Sequence, residues 1–256
     1  MFRRAIVRPP AANFADGLTT ADLGCPDLPL AMAQHALYCR ALEQCRLQIT
    51  YLEADACYPD STFVEDTAIL MEHGALLSRP GAPSRAGEVK QMRQVLESFY
   101  PAVDEISAPG TLDGGDICEA GNHFFIGVSE RTNEAGAQQL AAWLAQRGVT
   151  SSCIDIRGMS GLLHLKSGIA YLGDGRLVVV DALARCASFE GYQVILAPAG
   201  EEYAANCVRI NDFVLVVANF PRFATIIQEL GYRTIQLDMS EYRKMDGGLS
   251  CLSLRF

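Results

Sequence analysis

The sequence predicts an α/β fold assembled from repeated units, each an antiparallel strand pair, a helix and a returning strand. Three observations point there. The same order of apolar runs, turn residues and helix signals recurs about every 40–50 residues, within the range of propeller-like repeats. Half of the 256 residues are hydrophobic, enough for a sizeable core. Gly and Pro punctuate turns and never gather into a linker, so residues 1–256 read as one domain. The repeat is of element order only, and a ring of units and an ordinary α/β domain with a mixed sheet both fit it.

Each element has its own signal. Arg3–Val7 and Ser250–Phe256 read as strands able to pair and bring the two ends of the chain together. A helix over about 28–45 and a strand at Gln48–Leu52 complete that unit. Ala68–Met71 and Ala75–Leu77, split by Glu72-His73-Gly74, form a hairpin. A helix is expected from Ser84, with Val89, Met92, Val95, Leu96 and Phe99 on one face and Ser84 with Gly87-Glu88 as its cap. A short strand follows near Val103–Ile106. Ile117-Cys118 and Phe124–Gly127 flank a Gly121-Asn122 turn. Asn133 caps a helix through Leu140, Trp143 and Leu144, stopped by Gly148, and Cys153–Ile156 returns as a strand. Ile169–Leu172 and Leu177–Val180 pair across Gly173-Asp174-Gly175, followed by a short helix at about 182–189 and a strand at Val194–Leu196. The last hairpin joins Cys207–Ile210 to Val214–Val217 across Asn211-Asp212, then a helix from Pro221 to Leu230 and a strand at Thr234–Leu237.

Composition narrows the function. Lys plus Arg number 21 against 30 acidic residues, a formal charge of −9, so the surface repels nucleic acid phosphates. No apolar stretch reaches the roughly 18–20 residues that span a bilayer. Met1–Pro10 holds no secretory core, and a soluble, cytoplasmic protein is expected. Nine dispersed cysteines without a Cys-x-x-Cys pair argue against a disulfide framework and against structural zinc. Gly-x-Ser-x-Gly, P-loop, Gly-x-Gly-x-x-Gly and His-Glu-x-x-His motifs are absent.

The unusual polar residues share one phase, just before the first strand of each unit. They are Pro59–Asp66, Thr111–Asp116, Leu163–Lys166, Ala204–Asn206 and Asp246–Cys251. On a ring, one phase would gather a Cys, a His and several carboxylates. A thiol needs a nearby His, and the His needs an orienting acid, which Asp113 or Asp116 could supply. Surplus carboxylates fit a cationic substrate. A guanidinium is planar and held well by carboxylates, and its carbon is an electrophile for a thiolate. Each residue also has a plainer reading: Cys251 as a buried strand cysteine, His164 as a core histidine, Asp113–Asp116 as turn chemistry, Asp60 and Asp66 as surface acids, Arg85 and Arg131 as charges flanking helices.

Seven strings in order resolve the choice. Pro59-Asp-Ser-Thr-Phe-Val-Glu-Asp66, Arg79-Pro-Gly-Ala-Pro-Ser-Arg85, Leu112-Asp-Gly-Gly-Asp116, Arg131-Thr-Asn133, Leu163-His-Leu-Lys166, Ala204-Ala-Asn-Cys207 and Asp246-Gly-Gly-Leu-Ser-Cys251 together resemble the dimethylarginine dimethylaminohydrolases of the guanidine-modifying superfamily. The resemblance runs from Leu18 to Phe256. It implies a five-bladed α/β-propeller of ββαβ-like units with pseudo-fivefold symmetry, the pentein fold. It implies hydrolysis of Nω-methylated arginine to citrulline and an amine, with Cys251 as nucleophile, His164 as proton donor and later base, and Asp113 orienting the His. Asp60, Glu65 and Asp66 then grip the guanidinium and backbone, Arg85 and Arg131 anchor the α-carboxylate, and Leu18 and Met245 line the pocket. No metal or organic cofactor is required, the partner is the small-molecule methylarginine, and a homodimer is compatible with the family. Arginine deiminases and amidinotransferases on the same scaffold are the sibling chemistries, and a non-catalytic arginine-binding relative is the third alternative.

Overall fold

A computed structural model describes residues 1–256. The elements in chain order are β1 (Arg4–Val7), α1 (Leu28–Gln44), β2 (Gln48–Tyr51), β3 (Ala68–Met71), β4 (Gly74–Leu77), α2 (Glu88–Leu96), β5 (Val103–Glu105), β6 (Ile117–Glu119), β7 (His123–Val128), α3 (Glu134–Ala145), β8 (Thr150–Asp155), β9 (Ile169–Gly173), β10 (Arg176–Val179), β11 (Gln193–Leu196), β12 (Val208–Ile210), β13 (Phe213–Val217), α4 (Pro221–Glu229), β14 (Arg233–Leu237), α5 (Ser240–Arg243) and β15 (Leu254–Arg255). The strands make five three-stranded sheets of one pattern: β15-β1-β2, β3-β4-β5, β6-β7-β8, β9-β10-β11 and β12-β13-β14. In each, the middle strand runs antiparallel to the first and parallel to the third.

The middle strands read as unbroken apolar runs because both of their faces are buried. Gly74–Leu77 and Phe213–Val217 are buried throughout. The parallel return to the third strand needs a crossover, which α1, α2, α3 and α4 supply in four sheets and two 3-10 turns supply between β10 and β11. Asp27 caps α1 by accepting the Leu30 N–H at 2.8 Å, and Asn133 caps α3 by accepting the Gly136 N–H at 2.8 Å. Leu140, Trp143 and Leu144 of α3 bury against Ile69, Leu76, Phe124 and Ile126 of two neighbouring sheets.

The chain divides into two compact units: Met1–Val64 with Asn206–Phe256, and Glu65–Ala205. The first carries the sheets of β1 and β13, the second those of β4, β7 and β10. No helix is long and apolar enough to cross a membrane.

Four expectations change. The helix expected at 182–189 is two 3-10 turns, Asp181–Leu183 and Ala187–Phe189, split by extended Cys186. Their buried residues, Leu183 and Phe189, lie six apart and so make no helical stripe. The helix expected from Ser84 begins at Glu88, and Pro83–Arg85 is a separate 3-10 turn whose Arg85 pairs with Asp66 and with Glu88 at the start of the helix. Ser250–Leu252 is a 3-10 turn and only Leu254–Arg255 pairs as strand. The Asn206 amide takes the place of a strand partner there: its Oδ1 accepts the Ser250 N–H at 2.9 Å, and its Nδ2 donates to Ser250 Oγ at 3.1 Å. The fourth change is α5, which the sequence pattern did not announce.

Candidate active site

Every sheet is entered through a 3-10 turn that leads into its first strand: Val64–Thr67, Gly114–Asp116, Leu165–Ser167, Glu202–Ala205 and Ser250–Leu252. The residues that shared one phase in the sequence sit on or beside these turns. Such a turn fixes a short polar segment while the strand after it is held by its ladder.

Within Glu65–Ala205 the structure joins most of the expected groups. Asp66, buried at 4 % exposure, accepts the Gly115 N–H at 2.8 Å on Oδ1 and the Arg85 Nη1 at 2.5 Å on Oδ2. Arg85 also grips Glu88 with a two-pronged contact, Nε to Oε1 at 2.9 Å and Nη2 to Oε2 at 2.8 Å. Asp113 is fully buried. Its Oδ2 lies 3.2 Å from His164 Nε2 and its Oδ1 accepts the Gly81 N–H at 2.8 Å. Asp113, not Asp116, is thus the acid on the imidazole. Lys166 Nζ pairs with Glu65 Oε1 at 2.5 Å.

Two glycines are required by packing. A Cβ on Gly115 would sit 2.7 Å from His164 Nδ1 and 2.9 Å from Asp66 Oδ1, and one on Gly114 would sit 2.0 Å from the Glu65 carbonyl oxygen. The Gly-Gly pair therefore lets the Asp113–Asp116 turn lie against the imidazole and the Asp66 turn at once.

The charges follow from this crowding. Burial works against the cationic imidazole of His164, but Asp66, Asp116 and Asp113 outweigh it and raise its pKa to about 9. Burial likewise pushes Asp66 up, and the His164 and Arg85 charges overcome it, bringing Asp66 down to about 2. At neutral pH the imidazole is a cation surrounded by acids, a proton donor in waiting. One ligand atom each from Asp66, Asp113 and His164 lies within 4.8 Å of the others, a spacing compatible with a small cation. In this arrangement His164 Nε2 faces Asp113 Oδ2 at 3.2 Å as an imidazolium–carboxylate pair.

The two arginines part company. Arg85, expected to anchor a carboxylate, already holds two from its own chain, those of Asp66 and Glu88, and is 5 % exposed. Arg131 is only half-buried, its backbone N–H donates to Ser129 Oγ at 3.0 Å, and its guanidinium has no acidic partner. Gly81 explains how close its loop lies, for a Cβ there would meet the Arg131 carbonyl oxygen at 2.2 Å.

In the other unit, Leu18, Asp60 and Met245 gather around Gly17. The Leu18 N–H donates to both Asp60 oxygens, at 3.0 and 3.2 Å. A Cβ on Gly17 would lie 2.5 Å from Asp60 Oδ1 and 3.1 Å from Met245 Cε. Met245 is buried, whereas Leu18 is 42 % exposed. Asp246 holds the next residues by accepting the Thr20 N–H at 2.5 Å. Cys251 sits in its 3-10 turn, partly exposed and not in a disulfide, beside the Ser250 that Asn206 clamps. That clamp gives Asn206 a holding role.

The sequence reading passed over Glu88, Gly81, Ser129 and Thr132, and weighed Asp116 only as an alternative to Asp113. In the sequence Glu88 reads as part of a helix cap. Its signal in the sequence is spacing alone, an acid three residues after Arg85.

Comparison with known proteins decides the family. Residues 56–189 match the family model described as arginine deiminase. Over its whole length the chain is 44 % identical to N(G),N(G)-dimethylarginine dimethylaminohydrolase of Pseudomonas aeruginosa, covering all of both chains. The chain belongs to the dimethylarginine dimethylaminohydrolase family. Two solved structures of the family cover the full chain at 44 % identity. One is the Pseudomonas aeruginosa enzyme in a cysteine-to-serine variant complexed with citrulline, at a TM-score of 0.97. The other is a histidine-to-glycine variant as an adduct with S-methyl-L-thiocitrulline, at 0.96. The fold class is accordingly the family's five-bladed α/β-propeller, and the five equivalent sheets are its blades. The ring reading of the repeat is borne out, and the ordinary mixed-sheet alternative is not.

Proposed function

We propose that the protein hydrolyses Nω-methylated arginine, as asymmetric dimethylarginine or monomethylarginine, to citrulline and dimethylamine or methylamine. The observation that carries the reading is the cationic imidazole of His164 held on Asp113 among further acids, in a chain 44 % identical end to end to a dimethylarginine dimethylaminohydrolase.

The chemistry assigns each group a step. The Cys251 thiolate adds to the guanidinium carbon and forms a C–S bond. His164 gives its proton to the methylated nitrogen, the C–N bond breaks, and the amine leaves. A thiouronium adduct remains on Cys251. His164, now neutral, takes a proton from water as the water adds to the same carbon. The C–S bond then breaks and the adduct's hydroxyl proton leaves to solvent, where the freed amine takes it up, so that the thiolate, the His164 imidazolium and neutral citrulline result. Asp113 holds the imidazole through both proton transfers. The two variants trapped in the relatives support these assignments: one lacks the cysteine and holds citrulline, and the other lacks a histidine and holds an adduct.

Asp60, Glu65 and Asp66 supply negative charge for the cationic substrate, with Leu18 and Met245 shaping the apolar part of its site. Arg131 takes the α-carboxylate, since it has no acidic partner of its own. Arg85 adds positive charge to the same end of the substrate while keeping Asp66 ionised.

The test is a citrulline assay over dimethylarginine, monomethylarginine and plain arginine, with Cys251→Ser as control. Methylated substrates should turn over faster, and the variant should bind substrate without releasing citrulline. Faster turnover of plain arginine would move the reading to a deiminase. Undiminished citrulline from Cys251→Ser would remove the nucleophile assignment.

A further inference from the structure

Asp116 is fully buried, carries a titratable carboxyl, and has no step in the proposed reaction. Its hydrogen bonds nevertheless reach the His164, Ser129 and Thr132 segments of the Glu65–Ala205 unit. Oδ1 accepts the N–H of Leu165, the residue after His164, at 2.9 Å. Oδ2 accepts the hydroxyls of Ser129 at 2.7 Å and Thr132 at 2.6 Å. Thr132 Oγ1 in turn accepts the Asp113 N–H at 3.1 Å. Ser129 Oγ accepts the Arg131 and Thr132 N–H groups at 3.0 and 3.1 Å. There is no slack at this point, for a Cβ on Gly127 would meet Asp116 Oδ1 at 3.0 Å and Leu165 Cβ at 2.7 Å.

The chemical type of the residue matters as much as its place. Burial raises the Asp116 pKa against the opposing His164 charge and the Thr132, Ser129 and Leu165 donors, and Asp116 is the acceptor in all three of its contacts. Both hydroxyls must then point their hydrogens at Asp116, which turns their lone pairs toward the backbone N–H groups of residues 113, 131 and 132. One acceptor thereby sets the polarity of two hydrogen-bond chains. One runs to the acid that holds the imidazole, and the other to the arginine without an acidic partner.

We propose that Asp116 is a positioning residue that anchors two branches at once, the Arg131 loop that seats the substrate's carboxylate and the His164–Asp113 pair that aims the imidazole. The proposal rests on the reading of the protein as a methylarginine hydrolase. Ser129 belongs to the carboxylate branch and Thr132 to the imidazole branch.

The test is a set of kcat and KM measurements on asymmetric dimethylarginine for the full-length chain and for Asp116→Asn, Ser129→Ala, Thr132→Val, Thr132→Ser and the Ser129→Ala/Thr132→Val double variant. Loss of a hydrogen bond to a charged group corresponds to about a tenfold or greater effect. Ser129→Ala should raise KM by about that factor with kcat little changed. Thr132→Val should lower kcat with KM little changed, and Thr132→Ser, which keeps the hydroxyl, should restore it. Asp116→Asn, the same shape with a donor in place of an acceptor, should move both. Because the two hydroxyls share one carboxylate oxygen, the double variant should fall short of the product of the single effects. That last comparison carries the test even if Asp116→Asn does not fold. Multiplicative effects would overturn the shared anchor, and single variants that change kcat and KM alike would overturn the two separate branches. A wild-type chain that releases no citrulline would instead sink the functional reading, and the proposal with it.

Discussion

His164 draws its character from its neighbours. An isolated imidazole would lose its proton on burial, yet Asp66, Asp116 and Asp113 keep this one cationic up to about pH 9. The sign of its contribution to stability follows. A pKa raised from 6.5 in the unfolded chain to about 9 in the fold stabilises fully below 6.5 and is lost as pH rises through 9. Asp66, lowered from 3.8 to about 2, stabilises above 3.8 and is lost as pH falls through 2. The melting temperature should therefore decline between about pH 6.5 and 9, and His164→Gln should flatten that limb. A limb of unchanged slope in the variant would assign the decline to other groups. Asp66→Ala leaves the buried Arg85 with one acid fewer and should cost on the order of 3–5 kcal/mol by denaturant titration, together with a raised KM. A loss under 1 kcal/mol would mean that Glu88 alone satisfies the guanidinium.

At the scale of elements, the 3-10 turns before the first strands do the placing. Each is short, and the Gly114–Asp116 turn is fixed by packing, Gly114 against Glu65 and Gly115 against His164. The helices serve a different end, as crossovers that bury apolar surface between sheets. Leu140 of α3 is fully buried in the cluster with Leu76, Phe124 and Ile126. Leu140→Ala should cost roughly 2–5 kcal/mol, read from denaturant midpoints, while leaving KM near the wild-type value. A large rise in KM would show that α3 positions the site as well as supporting it.

At the scale of the molecule, a repeat of element order carries five sheets of one connectivity. The single-domain reading of residues 1–256 predicts one cooperative unfolding transition. Calorimetry with two resolved transitions would show that Met1–Val64 with Asn206–Phe256 and Glu65–Ala205 unfold separately. The charge of −9 finds part of its use in the acids around His164, which confer a proton on an imidazole and suit a cationic substrate.

Most of the architecture was legible in the sequence, because a middle strand buried on both faces must be an apolar run, and because Asn133, Gly148 and Pro221 mark helix ends by local backbone preference. The phase of the polar strings and the family resemblance named the chemical groups, Cys251, His164 and Asp113 among them. Local pattern misread the segments at 84–87, 182–189 and 250–253, since there a side chain from elsewhere competes with the backbone or an apolar stripe is missing. Asn206 on Ser250, and Asp66 with Glu88 on Arg85, are partners distant in the chain or hidden in a helical turn, and no propensity encodes them. Only the tertiary structure showed that Arg85 is already claimed while Arg131 has no acidic partner, and that Asp116 joins the loops around His164. A carboxylate in a sequence is a charge, but what it holds depends on which donors the folded chain brings within about 3 Å of it.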